Sequence, residues 1–157
     1  MAIAITLKQY LADSDIDYET LTHPRAMSSS QTAEASHIPG ARLAKAVLLK
    51  EGRDSYLLAV LPASHHIRLD ALRDWLGRQV TLATEEEIEA LFSDCEIGAV
   101  PPIGNAYGLD VVVDESLVGD DDVYFEAGDH ATLVRVPGTA FERLLANARQ
   151  GQFSRNP

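Results

Sequence analysis

The order of elements in this 157-residue chain predicts an α+β domain, with one curved mixed β-sheet flanked by helices. Three observations predict it. Helical and strand periodicities both occur, but without the steady βαβα alternation of a doubly wound sheet. Two apolar stretches, 44–49 and 56–61, flank a short polar loop containing Gly52, the pattern of a β-hairpin. Hydrophobic residues make up 46% of the chain and charged residues 24%, which supports a buried core without disulfides or a structural metal. The length predicts one domain, taken as residues 1–150. The tail, 151–157, is expected to fray.

Each element has a local reason. Leu7, Tyr10 and Leu11 recur at helical spacing, and Asp13-Ser14-Asp15 ends that helix. Ile16, Tyr18 and Leu21 alternate closely enough to predict a strand over 16–21, broken by His23-Pro24. Ser28 and Gln31 read as a capping box that opens a helix to about His37, before Pro39-Gly40. The hairpin follows, with Lys45 near the start of its first strand. Leu69, Leu72, Trp75 and Leu76 form a helical stripe with Gly77 as its stop. Thr84 and Glu87 form a second capping box, for a helix to Phe92, and the acidic first turn suits the helix dipole. Residues 97–104, Ile-Gly-Ala-Val-Pro-Pro-Ile-Gly, predict a stiff, compact loop. Strands are expected over 109–113, over 123–125 and around Leu133, Val134 and Val136, with a turn at Asp120-Asp121-Asp122. Thr139 and Glu142 are expected to cap a last helix through Leu145.

The formal charge of −11 argues against broad nucleic-acid binding, but it is unevenly placed. Residues 1–80 are neutral, with nine basic and nine acidic residues, whereas residues 81–157 hold four arginines and fifteen carboxylates. The window 40–80 carries seven basic and four acidic residues. It therefore offers either a local basic face or a set of solvated cations. No charged start followed by an apolar region marks a signal peptide, and no apolar run approaches the roughly 20 residues of a membrane span. With a single cysteine, Cys95, the reading is a reduced, soluble, cytoplasmic protein with no membrane partner.

Several chemistries are set aside. The phosphate-binding P-loop, the dinucleotide glycine motif, the zinc-protease helix and the nucleophile elbow have no match. His65-His66 would point to opposite faces of a strand, which disfavours a shared metal. Cys95 lies between Asp94 and Glu96, which would raise its pKa and leave it unreactive. Lys45 stands in an apolar strand, facing either solvent or a pocket. The 97–104 loop has glycines for close backbone approach and prolines for stiffness. It could bind an anion or polarise a carbonyl through its N–H groups, or serve only as a turn.

At these residues the sequence resembles the YbaK/EbsC-like family, the prolyl-tRNA-synthetase-associated domain, over about residues 5–147. The resemblance rests on three features. The strand Leu43-Ala44-Lys45-Ala46-Val47-Leu48-Leu49 looks like the family's lysine-bearing strand. Gly98-Ala99-Val100-Pro101-Pro102 fits its Gly-x-x-x-Pro loop, and the order of elements agrees. The resemblance implies a partly barrel-like sheet and a trans-editing aminoacyl-tRNA deacylase. That enzyme would hydrolyse the ester of a mischarged tRNA with no metal, no cofactor and no covalent enzyme intermediate. By resemblance, Lys45 binds phosphates near the tRNA 3′ end. The Gly98–Pro102 loop holds the aminoacyl carbonyl and a water through backbone groups; Gly98 and Ala99 are implied as catalytic with Lys45, and Val100, Pro101, Pro102, Ile103 and Gly104 as substrate-binding. His130 would be a pocket histidine or a surface-turn one, and His23 would line the pocket mouth or end a strand. The implied partners are the aminoacyl-tRNA acceptor end and a synthetase. Cysteine, alanine, serine and proline esters stay open as substrates. The alternatives are a non-catalytic module of the same fold that binds a nucleotide, a small anion or a synthetase, and a hydrolase of other small esters.

Overall fold

Two long apolar strands form the centre of the molecule. In the computed structural model, which describes residues 3–24, 29–145 and 148–156, β2 (Leu43–Glu51) and β3 (Ser55–Pro62) pair antiparallel in the register Ala44↔Pro62 to Glu51↔Ser55. The turn between them holds Gly52 at φ 65°. Residues 57–62 of β3 are all buried, as expected of a strand covered on both faces.

The other elements, in chain order, are α1 (Ile5–Asp13), β1 (Glu19–Thr22), α2 (Ser29–Ser36), β4 (His66–Ile67), α3 (Leu69–Leu76), β5 (Thr81–Leu82), α4 (Glu85–Leu91), β6 (Asp110–Asp114), β7 (Val123–Glu126), β8 (Thr132–Val136), α5 (Gly138–Leu144), β9 (Arg149–Gly151) and β10 (Ser154–Arg155). The main sheet runs β1-β8-β7-β2-β3-β6-β9, with β5 added on β2. It is mixed: β2–β7, β3–β6 and β6–β9 are parallel, and the remaining pairs are antiparallel. The expected α+β class with a mixed sheet and flanking helices is what forms, and the sheet does not close. No helix among the described residues is long and apolar enough to cross a membrane.

Strand alternation divides the core. Ala44 and Leu48 of β2 face a cluster with Leu7 and Leu11 of α1 and with Phe141 and Leu144 of α5. Leu49, Leu57, Ala59 and Leu61 face Leu72 of α3 and Phe153 of the tail. Gly77 ends α3 in the left-handed conformation, φ 72°. The Thr84 box is complete: Glu87 N–H donates to Thr84 Oγ1 at 3.2 Å, and Thr84 N–H donates to Glu87 Oε1 at 2.9 Å.

Three local expectations change, and one falls on residues that are not described. The strand expected over 16–21 forms at Glu19–Thr22, because β8 offers partners only from Glu19↔Arg135 onward; Ile16 is buried in the core before it. The capping box on Ser28 lies outside the described residues. Thr139 does not cap α5, since Pro137 is the N-cap and no side chain caps it. The tail expected to fray is built into the fold instead. Arg149–Gly151 extends the sheet beside β6, and Ser154–Arg155 pairs with β4. Phe153 is fully buried, its ring 6.1 Å from that of Trp75.

A buried carboxylate fastens this tail. Asp114 Oδ2 accepts from Phe153 N–H at 3.2 Å and from Ser154 Oγ at 2.7 Å, while Oδ1 accepts from Ser116 N–H and Oγ. Burial pushes the Asp114 carboxyl up, but these four bonds outweigh it and leave its pKa below the ordinary value. The Phe153→Ala variant should lose about 3–5 kcal/mol of stability, read from urea unfolding. A frayed tail would lose almost nothing.

Candidate active site

A cavity of about 280 Å³ opens along one edge of β2, and the pairing pattern explains why it is there. On that edge β7 pairs with β2 only at Leu43↔Tyr124 and Ala44↔Phe125. β5 resumes pairing at Leu49↔Leu82. Residues 45–48 have no strand partner on that side, and the cavity occupies the gap. Its walls include Ala44, Ala46, Val47 and Leu48 of β2, Ala83 and Ile88 of the β5–α4 arm, and Ile97, Gly98 and Val100 of the loop. Leu82, 58% exposed, forms an apolar lip. The arm is held over the gap by Glu87, which accepts from Tyr56 Oη at 2.5 Å and pairs with Lys50 at 2.9 Å.

The structure brings Lys45 and the loop to this one cavity. Lys45 is half-buried, and its Nζ donates to the carbonyls of His65 (2.6 Å) and Ala63 (3.5 Å). No carboxylate lies within ion-pair distance of it among the described residues. Burial lowers its pKa. The lysine therefore has backbone partners and no counter-ion, which suits an anionic ligand.

The loop divides into a lining half and a supporting half. Gly98 sits at φ 87°, a conformation that favours glycine, and with Ile97 and Val100 it lines the cavity. Ala99 is fully buried, and its N–H is committed to Glu96 O at 3.1 Å. Pro101, Pro102, Ile103 and Gly104 are buried and do not line the cavity. At Gly104 a Cβ would meet Val111 Cγ2 at 2.7 Å. This glycine serves packing against β6.

His23 and His130 are both buried, and they meet around a residue that sequence reasoning passed over. Glu126, at the end of β7, lines the cavity and is 4% exposed. Its Oε1 is 3.2 Å from His23 Nε2, and its Oε2 is 4.0 Å from His130 Nδ1. The other nitrogen of each ring faces a carbonyl, Pro24 O at 2.8 Å for His23 and Ile97 O at 2.5 Å for His130. Carbonyls only accept, so both outer nitrogens donate. In a neutral ring the inner nitrogen is then an acceptor, and a proton on Glu126 completes the His23 bond. Burial pushes Glu126 up to about 7; His130 opposes the rise, while Asp129 and Glu96 add to it. The signal in the sequence was an acid closing the apolar run Val-Tyr-Phe, with a histidine four residues on.

His130 is held in a left-handed conformation, φ 60°, that costs a non-glycine residue on the order of 1 kcal/mol. Asp129 holds the turn by accepting from Ala131 N–H at 3.0 Å and Thr132 N–H at 2.8 Å. Glu96 N–H donates to Gly128 O at 2.8 Å. Both this bond and the His130 ring thus tie the base of the loop to the β7–β8 turn.

Cys95 is not in the cavity wall. Burial, with Asp94 beside it, pushes its thiol up to about 12. His65 Nδ1 bonds Ser154 Oγ at 2.9 Å. No group of three ligating side chains suited to a metal occurs among the described residues.

Residues 23–144 match the aminoacyl-tRNA editing domain, and the chain belongs to that family. A segment of 87 residues is 30% identical to a proline–tRNA ligase of Thermosipho africanus (strain TCF52B), covering 55% of this chain and 15% of the ligase. The chain thus spans about one-seventh of that relative's length. A crystal structure of a candidate trans-editing enzyme for prolyl tRNA synthetase superposes with a TM-score of 0.83 at 20% identity, covering 97% of this chain and 96% of the other. The hypothetical protein APE2540 gives the same TM-score at 17% identity, with 96% and 99% covered. At these identities the two structures speak for the fold.

Two outcomes follow. Cys95→Ala should leave activity unchanged, and Cys95 should react with iodoacetamide at pH 7.5 at least tenfold more slowly than a free cysteine peptide. Glu126 has an ordinary pKa of 4.5 and is raised in the fold, so its protonated form is the one the fold favours. That contribution is complete below about 4.5 and lost as pH rises through about 7. Relative to Glu126→Gln, the wild type should lose up to about 3 kcal/mol across that window, read from urea midpoints at each pH. Parallel curves for the two proteins would refute the buried-acid assignment.

Proposed function

We propose that this chain is a trans-acting cytoplasmic aminoacyl-tRNA deacylase that hydrolyses the ester of a mischarged tRNA. One observation carries the reading: Lys45 and the Gly98 loop, about fifty residues apart in sequence, line a single cavity in a chain of the editing-domain family. Lys45 supplies a point charge for a phosphate at the 3′ end. Gly98 and Val100 hold the ester carbonyl and a water through the main chain. The water adds to the carbonyl, the carbon–oxygen bond to the terminal ribose breaks, and the amino acid and the ribose hydroxyl leave. A ribose hydroxyl of the substrate assists the water, and no metal or acyl-enzyme is required. With its high pKa and its place outside the cavity, Cys95 is not the nucleophile.

Ala44, Ala46 and Ala83 give the cavity small side chains, which suits small aminoacyl groups such as alanine, cysteine, serine or proline. Pockets of this kind separate similar apolar groups by only about 1–3 kcal/mol. Selectivity therefore also draws on the tRNA or on a synthetase that delivers it. The match to part of a proline–tRNA ligase makes tRNA for proline the first to test.

The test is a panel of mischarged tRNAs with wild type and Lys45→Ala. Wild type should release amino acid from at least one, and Lys45→Ala should lower kcat/KM by roughly 10- to 100-fold, the worth of a charge-assisted contact. A panel with no hydrolysis would sink the reading. Lys45-dependent binding without turnover would make the chain a non-catalytic module instead.

A further inference from the structure

A second cationic feature lies beside Lys45, outside the cavity. A groove of about 580 Å³ is lined by His66, Ile67, Arg68, Leu69, Asp70 and Arg155. Its walls come from β4, the start of α3 and β10. The antiparallel register Arg155↔His66 places these two side chains directly opposite each other on the small sheet. Arg68 N–H donates to Phe153 O at 2.6 Å, which brings Arg68 to the same tail. The Asp114–Ser154–His65 chain of bonds holds this tail in place.

Most other cations of the protein are engaged elsewhere. Arg42 donates to the carbonyls of Ser116, Asp121 and Asp122. Lys50 pairs with Glu87, Arg78 with Glu51 and Arg135 with Glu19. Arg73 bonds Val80 O at 3.0 Å, and Arg149 lies 4.6 Å over the Trp75 ring. Arg155 has no ion pair among the described residues. Arg68 has one, with Asp70 at 3.8 Å, both side chains well exposed, and such a pair is weak.

Lys45, which lines the cavity, reaches the chain segment that leads into the groove. Along β2, Lys45 lies on the same face as Val47 and Leu49, the face that packs on α3 and Phe153. Its Nζ bonds the carbonyl of His65, the residue before His66. From His65 to Arg68 is three residues, at most about 10 Å of chain.

We infer that the groove of His66, Arg68 and Arg155 is a phosphate track that takes the backbone of the RNA whose 3′ end occupies the cavity. This rests on the deacylase reading and extends it from the reacting end to the nucleotides next to it. Arginine suits the role, since its planar fork binds phosphate oxygens two at a time. Residues 81–157 hold fifteen carboxylates against four arginines, and one of those arginines, Arg155, stands in this groove with Arg68. A short track of this kind also accounts for a chain of net charge −11 that engages RNA at one place only.

The experiment compares wild type with the Arg68→Glu/Arg155→Glu double variant on two substrates. One is the aminoacyl-tRNA cleaved fastest in the panel. The other is the matching 3′-aminoacyl-adenosine, too short to reach the groove. The double variant should raise KM for the aminoacyl-tRNA at least tenfold, leave kcat unchanged, and reduce the slope of log KM against log salt by about 2. Hydrolysis of the adenosine ester should stay at the wild-type rate. Unchanged KM on tRNA overturns the track. An equal loss on both substrates overturns it too, because the variant would then be acting through the cavity or the fold. If the variant loses binding to a synthetase but not to tRNA, the groove is a protein interface and the track is wrong. Should wild type cleave nothing, the deacylase reading fails by itself. Filter binding of uncharged tRNA then decides the track: weaker binding by the variant supports it, and equal binding overturns it.

Discussion

The site depends on an interruption in main-chain pairing. β2 lies at the centre of the sheet and is paired along its whole length on the β3 side. On the other side its pairing stops after Ala44 and resumes at Leu49. A sheet that leaves four residues of a central strand without a strand neighbour must cover them in another way. Here the β5–α4 arm and the Gly98 loop cover them without filling the space. The cavity is thus a consequence of register, and Lys45 faces it because it is the first residue past the break.

The buried acid behind the loop obeys the same economy of partners. Glu126 has two imidazoles for neighbours, and both already donate outward to carbonyls. One proton shared between Glu126 and His23 satisfies the pair, and burial keeps that proton on through mildly acidic pH. His130, beside this pair, holds the carbonyl of Ile97 next to Gly98. A loop that must present its main chain to a substrate needs such an anchor, because its own sequence supplies little else to hold it.

Much of this was legible in the sequence wherever the cause was local. The Gly52 hairpin, the Gly77 stop and the Thr84–Glu87 box each depend on residues a few positions apart, and each formed as read. Lys45 and Gly98 could be paired by resemblance, and the structure brings them together. What was not legible depended on distant partners. The tail looked like a free end because Phe153 is a lone aromatic among polar residues, and its socket against Trp75 and Asp114 is assembled from segments some forty and eighty residues earlier. Glu126 looked like an ordinary strand end because nothing near it in sequence shows that His23 packs against it. The back half of the loop, Pro101 to Gly104, carried the same composition signal as the front. Only packing against β6 separates support from lining.

The position of the cavity on the central strand has a mechanical consequence. Its floor is the main chain of β2, which is clamped by eight paired residues to β3 and buried between two cores. Such a floor cannot yield without unfolding the domain. The β5–α4 arm, by contrast, is joined to β2 by two residue pairs, the Ala83 N–H to Leu48 O bond and the Glu87–Lys50 pair, and to β3 by the Glu87 contact with Tyr56. Any accommodation of occupants of different size must come from that hinged wall. The wall, rather than the floor, is where selection for a different amino acid would act.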